Sequence, residues 1–192
     1  MLVFSQIIKG RLNQSLIDES LWLGSAGDMD RAAAVLFPFY WKNGEPWVLL
    51  TQRNDKLKHH SCQVSFPGGA YEDQDKNIKH TALRETQEEV GIGKEYIELW
   101  GALDGLPSIS GFYVTPFVGE IKDLSQLKLD ENEVERAFGV PFSFFQDRKN
   151  RVKNKIKTPV GDRHNYVFEY KGDVIWGLTA QIIVQLVDRI NK

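Results

Sequence analysis

Two apolar, β-rich runs stand close together early in the chain, Ala32-Ala33-Ala34-Val35-Leu36-Phe37-Pro38-Phe39-Tyr40 and Pro46-Trp47-Val48-Leu49-Leu50-Thr51-Gln52-Arg53. Lys42-Asn43-Gly44-Glu45 separates them, and Asn-Gly between such runs is a hairpin signal, so they are predicted to pair as neighbouring strands. Gln63-Val64-Ser65-Phe66 reads as a strand running into Pro67-Gly68-Gly69, a break that permits unusual backbone angles. Lys76 to Val90 is free of Gly and Pro, Gly91 supplies a left-handed stop, and Ile92 covers the last turn, which together predict a helix. Ile97 to Trp100, Tyr113 to Ile121 and Tyr166 to Tyr170 read as further strands. Helices are predicted over Glu131 to Phe138 and Leu178 to Ile190, the second with Ile182, Ile183, Leu186, Val187 and Ile190 on one apolar stripe. Within residues 1–25, Leu12 and Leu16, with Ile8 alongside and Leu21 and Leu23 beyond, predict a short helix. Strands interleaved with a few helices point to a layered α/β or α+β domain with a mixed sheet. No repeat, low-complexity tract or linker interrupts it.

The chain has 192 residues, enough for one domain with extensions at ~150 residues per domain. Hydrophobic residues make up 42% and charged residues 26%, so a core can form and broad disorder is excluded. A formal net charge of -2 argues against bulk binding to nucleic acid or anionic lipid, and any phosphate binding must be local. Cys62 is the single cysteine, which excludes an internal disulfide and suits a reducing interior. No stretch approaches the ~18 apolar residues of a membrane helix, and Met1-Leu2-Val3-Phe4-Ser5 lacks the basic-then-apolar order of a secretion signal. The expectation is a soluble, cytoplasmic protein with neither nucleic-acid nor membrane partners; a homodimer stays open.

Candidate chemistry concentrates in Arg84-Glu85-Thr86-Gln87-Glu88-Glu89-Val90-Gly91-Ile92. At ~100° per residue Glu85, Glu88 and Glu89 fall within one arc, with Leu83, Thr86 and Val90 opposite. Like charges so spaced repel by some tenths of a kcal/mol each, a cost without local benefit unless a cation sits among them. An oxygen-only cluster suits Mg²⁺ or Mn²⁺, which keep waters and bridge to substrate phosphates. The bland alternative is a solvated acidic face with Arg84 and Lys79 as partners. The approach through Phe66-Pro67-Gly68-Gly69 adds glycines that let backbone come close to an anion, near the positive end of a helix, and so predicts a phosphate site beside the metal site. Gly68-Gly69 as an ordinary turn is the competing reading. Trp47, Trp100 and Trp176 read as core residues. Arg148-Lys149-Asn150-Arg151-Val152-Lys153-Asn154-Lys155-Ile156-Lys157 reads as a strand or ribbon with a wet basic face.

The segment Gly69 to Ile92 resembles the Nudix box, whose pattern runs Gly, a spacer, Glu, a second spacer, then Arg-Glu-aliphatic-x-Glu-Glu-x-Gly-aliphatic. The second half matches at Arg84, Glu85, Glu88, Glu89, Gly91 and Ile92, with Thr86 in place of the aliphatic residue. In the first half Gly69 lies one residue further from Arg84 than the pattern has it, and Lys76 holds the position of the first Glu, with Asp75 just before it. An extra residue and an Asp at this point also mark the coenzyme A diphosphatase branch of that family. Leu49 to Gly69 is similar to that branch's signature in its Leu-Leu-Thr-x-Arg start, its basic residue before His and its Gln-Val-x-Phe-Pro-Gly-Gly end. It departs at Asn54, Lys58 and Cys62, where Ser, Arg and Gly are usual. Ser110 to Gly119, Asn132-Glu133-Val134, Val140-Pro141-Phe142 and Ile175-Trp176-Gly177-Leu178-Thr179-Ala180 resemble further elements of the branch.

The resemblance implies an α/β/α sandwich with a mixed sheet, a single domain over 1–192 with an N-terminal helical extension at 1–30 and a core over about 30–190. It implies divalent-metal-dependent hydrolysis of the diphosphate of coenzyme A or acyl-CoA to 3′,5′-ADP and (acyl-)4′-phosphopantetheine. Glu85, Glu88, Glu89 and the Gly69 carbonyl are the expected metal ligands, with Mg²⁺ or Mn²⁺ as cofactor. Glu89, Glu88 and Glu133 are the expected catalytic residues, Glu133 as the candidate base; a helix-terminal role for Glu133 is the alternative. Arg53, Lys58, His59, Gly68 and Gly69 are the expected substrate contacts, and Lys58 lacks the bidentate fork of Arg. His60 is a weaker candidate, and Cys62 reads as filler of a small packed position. Alternatives are a Nudix hydrolase of another nucleoside diphosphate derivative, such as ADP-ribose, NADH or a dinucleoside polyphosphate, and a non-hydrolytic coenzyme A sensor.

Overall fold

The computed structural model describes residues 1–17, 31–54, 63–158 and 161–192. The predicted hairpin is present: β1 (Ala32–Lys42) and β2 (Glu45–Arg53) pair antiparallel, Phe39 opposite Val48 and Tyr40 opposite Trp47. β1 also runs parallel to β7 (Tyr113–Ile121), from Ala32 opposite Tyr113 to Phe39 opposite Glu120, so the sheet is mixed. Its order is β3 (Val64–Ser65), β2, β1, β7, β5 (Ile97–Ala102). β4 (Gly68–Ala70) pairs with β1, β6 (Leu106–Pro107) with β7, and β8 (Val134–Pro141) with β2. A second, antiparallel sheet contains β9 (Val152–Thr158), β10 (Gly161–Tyr170) and β11 (Asp173–Trp176), so the basic run does enter a ribbon.

β1 is apolar on both faces because it lies at the centre, and its alternation sorts two cores. Ala34 and Leu36 cluster with Ala82 of α2 (Ile78–Val90), while Tyr40 clusters with Val90 of the same helix. Phe37 and Phe39 belong to the opposite core, with Ile8 of α1 (Leu2–Lys9), Phe142 and Phe145 of α3 (Phe142–Gln146), and Ile182, Ile183 and Leu186 of α4 (Gly177–Ile190). The result is the α/β/α sandwich. Phe39 stacks on Trp100 with centroids 5.4 Å apart and meets Phe142 edge-on at 5.0 Å. Emptying a site packed this way, as in Phe39→Ala, costs ~3–5 kcal/mol.

α2 starts at Ile78, two residues later than Lys76, because the Asn77 side chain accepts from the His80 amide at 2.9 Å and caps the first turn. Its end is as predicted: Gly91 takes φ 73, its N–H bonds the Gln87 carbonyl, and Ile92 is buried.

Two sequence expectations are corrected. Glu131–Phe138 is not a helix; Val134–Pro141 is a strand that pairs with β2 from Trp47 opposite Pro141 to Arg53 opposite Val134. Val134, Ala137 and Phe138 imitate helical spacing, but the free edge of β2 offers a ladder of backbone partners that local pattern does not reveal. The N-terminal helix covers Leu2–Lys9 only and does not reach Leu12 or Leu16. Gly10 ends it, and Asn13 then exchanges backbone hydrogen bonds with Ala102 of β5 at 2.9 and 3.0 Å, which draws Leu12 into the core as irregular chain. Leu21 and Leu23 lie outside the described residues.

Candidate active site

The glycine turn is built against the helix. β4 is antiparallel to β1, Val35 opposite Gly68 and Ala34 opposite Gly69. Gly68 adopts φ +156, and a Cβ there would collide with the Ala34 carbonyl oxygen; a Cβ on Gly69 would collide with the Glu85 carboxylate. Absence of side chains therefore lets the β4 backbone lie directly on Glu85. The glycines meet α2 well inside the helix, at Glu85 and Glu89, and not at its N-terminus as the sequence suggested; Asn77 and Asp75 occupy that end.

The three helix carboxylates share an arc but not an environment. The Glu88 side chain is 56% exposed and paired with Arg84 Nη1 at 2.8 Å, the Glu85 side chain is 14% exposed, and Glu89 is 3% exposed. The Gly68 amide bonds Glu89 on one side, and Arg53 Nη1 stands 3.7 Å from its Oε1. Glu89 Oε2 is buried without a hydrogen-bond partner among the described residues. Burial, with the charges of Glu85 and Glu133 adding, pushes the Glu89 carboxyl up to about 8 against the pull of Arg53 and Gly68. Glu85 is raised for the same first reason, burial, reinforced by Glu88 and Glu133 and opposed by Arg84.

An orphaned carboxylate oxygen, two acids held above their ordinary range and a glycine backbone pressed on one of them fit an oxygen-seeking divalent cation. Among the described residues no three His, Cys, Asp or Glu side chains already stand as a set around one point. On this helix Arg84 Nη1 is paired with both Glu85 Oε1, at 3.0 Å, and Glu88 Oε2, at 2.8 Å.

Arg84 closes the other side. Asp75 is 3% exposed and accepts from Arg84 Nε at 3.0 Å, Thr81 Oγ1 at 2.9 Å and the Glu72 amide at 3.1 Å, with His80 Nδ1 at 3.1 Å. Burial alone would raise this carboxyl, but Arg84, Glu72, Thr81 and His80 together hold it below the usual range. Arg84 also donates to the Ala70 carbonyl at 3.0 Å, tying the glycine turn to the helix. The departure from the Nudix pattern thus has a structural reading: Asp75 turns inward to Arg84, while Lys76 is exposed.

Beside Gly68 and Gly69 opens a cleft of about 370 Å³, walled by Arg53, Phe66, Phe112 and Trp176 among others. Trp176 is 41% exposed on its rim and is not a core residue; Trp100 is fully buried, as expected. The signal for Trp176 was available in its place at a strand end directly before Gly177. Thr179 Oγ1 donates to the Val64 carbonyl at 3.1 Å and fixes the start of α4 to β3 across the cleft. Glu133 is exposed at the foot of β8 rather than ahead of a helix, and its charge reaches Glu85 and Glu89. Its carbonyl accepts from the Asn54 amide at 2.8 Å, and Asn54 Nδ2 donates to the Glu131 carbonyl at 2.6 Å, so this departure from the signature anchors the segment that carries Glu133. Lys58, His59, His60 and Cys62 lie outside the described residues.

Comparison with known proteins supplies the context. Residues 29–157 match the family described as NUDIX domain. The chain is 42% identical over 164 residues to the Nudix hydrolase NudL of Pectobacterium atrosepticum, covering 84% of this chain and 83% of that one. It is 36% identical over 177 residues to the NudL of Yersinia enterocolitica, covering 88% and 86%. Among solved structures, a MutT/nudix family protein from Enterococcus faecalis superposes with a TM-score of 0.51 at 16% identity, over 84% of this chain and 62% of that one, a likeness of fold. No helix among the described residues is long and apolar enough to cross a membrane.

Proposed function

The chain belongs to the Nudix hydrolase family, whose members act on phosphorus-containing anhydrides and generally use divalent metal ions, and on that premise we propose that its substrate is coenzyme A or acyl-CoA, cleaved to 3′,5′-ADP and (acyl-)4′-phosphopantetheine. The coarser activity, hydrolysis of a nucleoside diphosphate derivative, goes with the family. One observation supports the finer reading. The two segments similar to the coenzyme A branch, far apart in sequence, meet at one cleft: Arg53, Gly68 and Gly69 come from the first, Trp176, Leu178 and Thr179 from the second.

Hydrolysis of a diphosphate requires charge neutralised on its non-bridging oxygens and a water in line with phosphorus. Glu85, Glu89 and the Gly69 carbonyl would hold Mg²⁺ or Mn²⁺, with Glu88 joining once freed from Arg84. When bound, the cation supplies charge neutralisation and acidifies the attacking water. Glu133, exposed and in electrostatic reach of both acids, serves as general base, and Glu89 or Glu88 contacts the same water. The close backbone of Gly68 and Gly69, with Arg53, Lys58 and His59, receives the diphosphate, while Arg84 and Asp75 hold the helix and turn together. The single cysteine agrees with a cytoplasmic setting, which we include in the proposal.

Turnover measured with Mg²⁺ and Mn²⁺ on coenzyme A, ADP-ribose and a dinucleoside polyphosphate tests the substrate. Preference for coenzyme A is expected; brisk turnover of the others with coenzyme A untouched would favour the second reading, another nucleoside diphosphate derivative, to which Lys58 in place of Arg lends weight.

A further inference from the structure

Arg53 is the last residue of β2, and its backbone is fixed by an N–H donated to the Gln63 carbonyl at 3.0 Å. The pairing of β2 with β8 shifts register between Gln52 and Arg53, and such an irregularity re-aims a side chain out of the regular alternation. Here it aims Arg53 between two partners: the buried Glu89 and the cleft beside Gly68 and Gly69. Each side of the Glu89 pair keeps one unmatched atom. The 3.7 Å separation exceeds a hydrogen bond, and Arg53 Nε and Glu89 Oε2 are each buried without a partner among the described residues. Arg84, on the same helix as Glu89, and Asp75, just before its start, show the contrast of a fully hydrogen-bonded pair. Unpaired buried polar atoms are costly, so a group that completes either side is favoured. A divalent cation completes Glu89 Oε2, and diphosphate oxygens complete the guanidinium fork.

We propose that Arg53 is a displaceable stand-in for the cation: it lies against the Glu89 carboxyl while no cation is bound there, and turns to the substrate diphosphate once a divalent cation has taken Glu89 over. Cation and diphosphate then favour each other's binding through one side chain, and by linkage each strengthens the other equally. The diphosphate half rests on the hydrolase reading above; the cation half does not.

The test is Mn²⁺ binding by the full chain, followed by electron paramagnetic resonance without substrate, beside steady-state kinetics on coenzyme A. Arg53→Gln removes a positive charge that repels an incoming cation, so Mn²⁺ binding should tighten about tenfold while KM rises about tenfold and kcat changes less. Unchanged or weaker Mn²⁺ binding, or an unchanged KM, overturns the proposal. A residue that merely supported the fold would not move the two constants in opposite directions. Should Arg53→Gln fail to fold, Arg53→Lys decides: keeping the charge but not the fork predicts wild-type Mn²⁺ affinity with a raised KM, and wild-type values of both constants overturn the proposal. If coenzyme A is not turned over, the Mn²⁺ arm still reads out, and the anhydride that is turned over replaces coenzyme A in the kinetic arm.

Discussion

Asp75 and Glu89 are both 3% exposed, both face an arginine and both bracket the same helix, yet they are opposites. Asp75 is saturated by donors and lies below the ordinary carboxylate range; Glu89 has an orphaned oxygen and is pushed up to about 8. A buried acid with all its lone pairs matched is held for the fold's sake, because removing it strands its partners. A buried acid left short of partners destabilises the empty protein and signals that something else completes it. Burial by itself therefore does not distinguish these two carboxylates; the count of satisfied oxygens does.

The contrast breaks most sharply at Glu89. Glu89→Gln should lower kcat by about a thousandfold or more, since under the proposed mechanism it removes a cation ligand, and leave the melting temperature equal or higher. An activity within a few-fold of the original would remove Glu89 from the chemistry. Asp75→Ala should do the reverse in emphasis: leaving Arg84 without its buried partner costs ~3 kcal/mol, or a fall of about 10 °C in a thermal melt. A melt unchanged within a degree or two would mean the Asp75 network contributes nothing.

The two acids also predict opposite responses to pH, read in a divalent-free buffer. Glu89 keeps its proton in the folded state up to about 8 but loses it from the ordinary value of 4.5 when unfolded, so its contribution to stability is full below 4.5 and is lost as pH rises through 8. Asp75 is depressed from 3.8, so its contribution is present above that value and is lost as pH falls through its folded-state value. Denaturant titrations from pH 5 to 9 should show stability falling toward alkaline pH, by an amount that Glu89→Gln flattens; an equal slope in both proteins would contradict the account. Smallest is Glu88→Gln, which breaks an exposed pair with Arg84 and should change stability by no more than ~0.5 kcal/mol. A larger loss would show that Glu88 is held like Asp75.

How much of this was legible beforehand follows from what is local. The β1–β2 hairpin and the end of α2 are set by Asn43-Gly44 and Gly91, residues whose backbone preferences act within a turn, and both appear where the sequence predicts them. Glu85, Glu88 and Glu89 share an arc by helix geometry alone. Their gradient of burial does not follow from that arc, because β1 and β4 on one side and Arg53 from β2 on another decide it. Val134–Pro141 was misread for the same reason: its partner is β2, more than eighty residues earlier. Asp75 could be noticed as a departure from the Nudix pattern, but only its four donors show that it does the anchoring. Trp176 reads as core from the sequence, whereas β11 ends at the cleft and leaves it on the rim.

Most direct for the central claim is product analysis by mass spectrometry after incubating the protein with coenzyme A and Mg²⁺ in ¹⁸O water, with Glu89→Gln alongside. The account predicts 3′,5′-ADP and 4′-phosphopantetheine, one of the two carrying a single ¹⁸O, and no product from the variant on the same timescale. Intact coenzyme A after wild-type incubation, or equal product from Glu89→Gln, would contradict it.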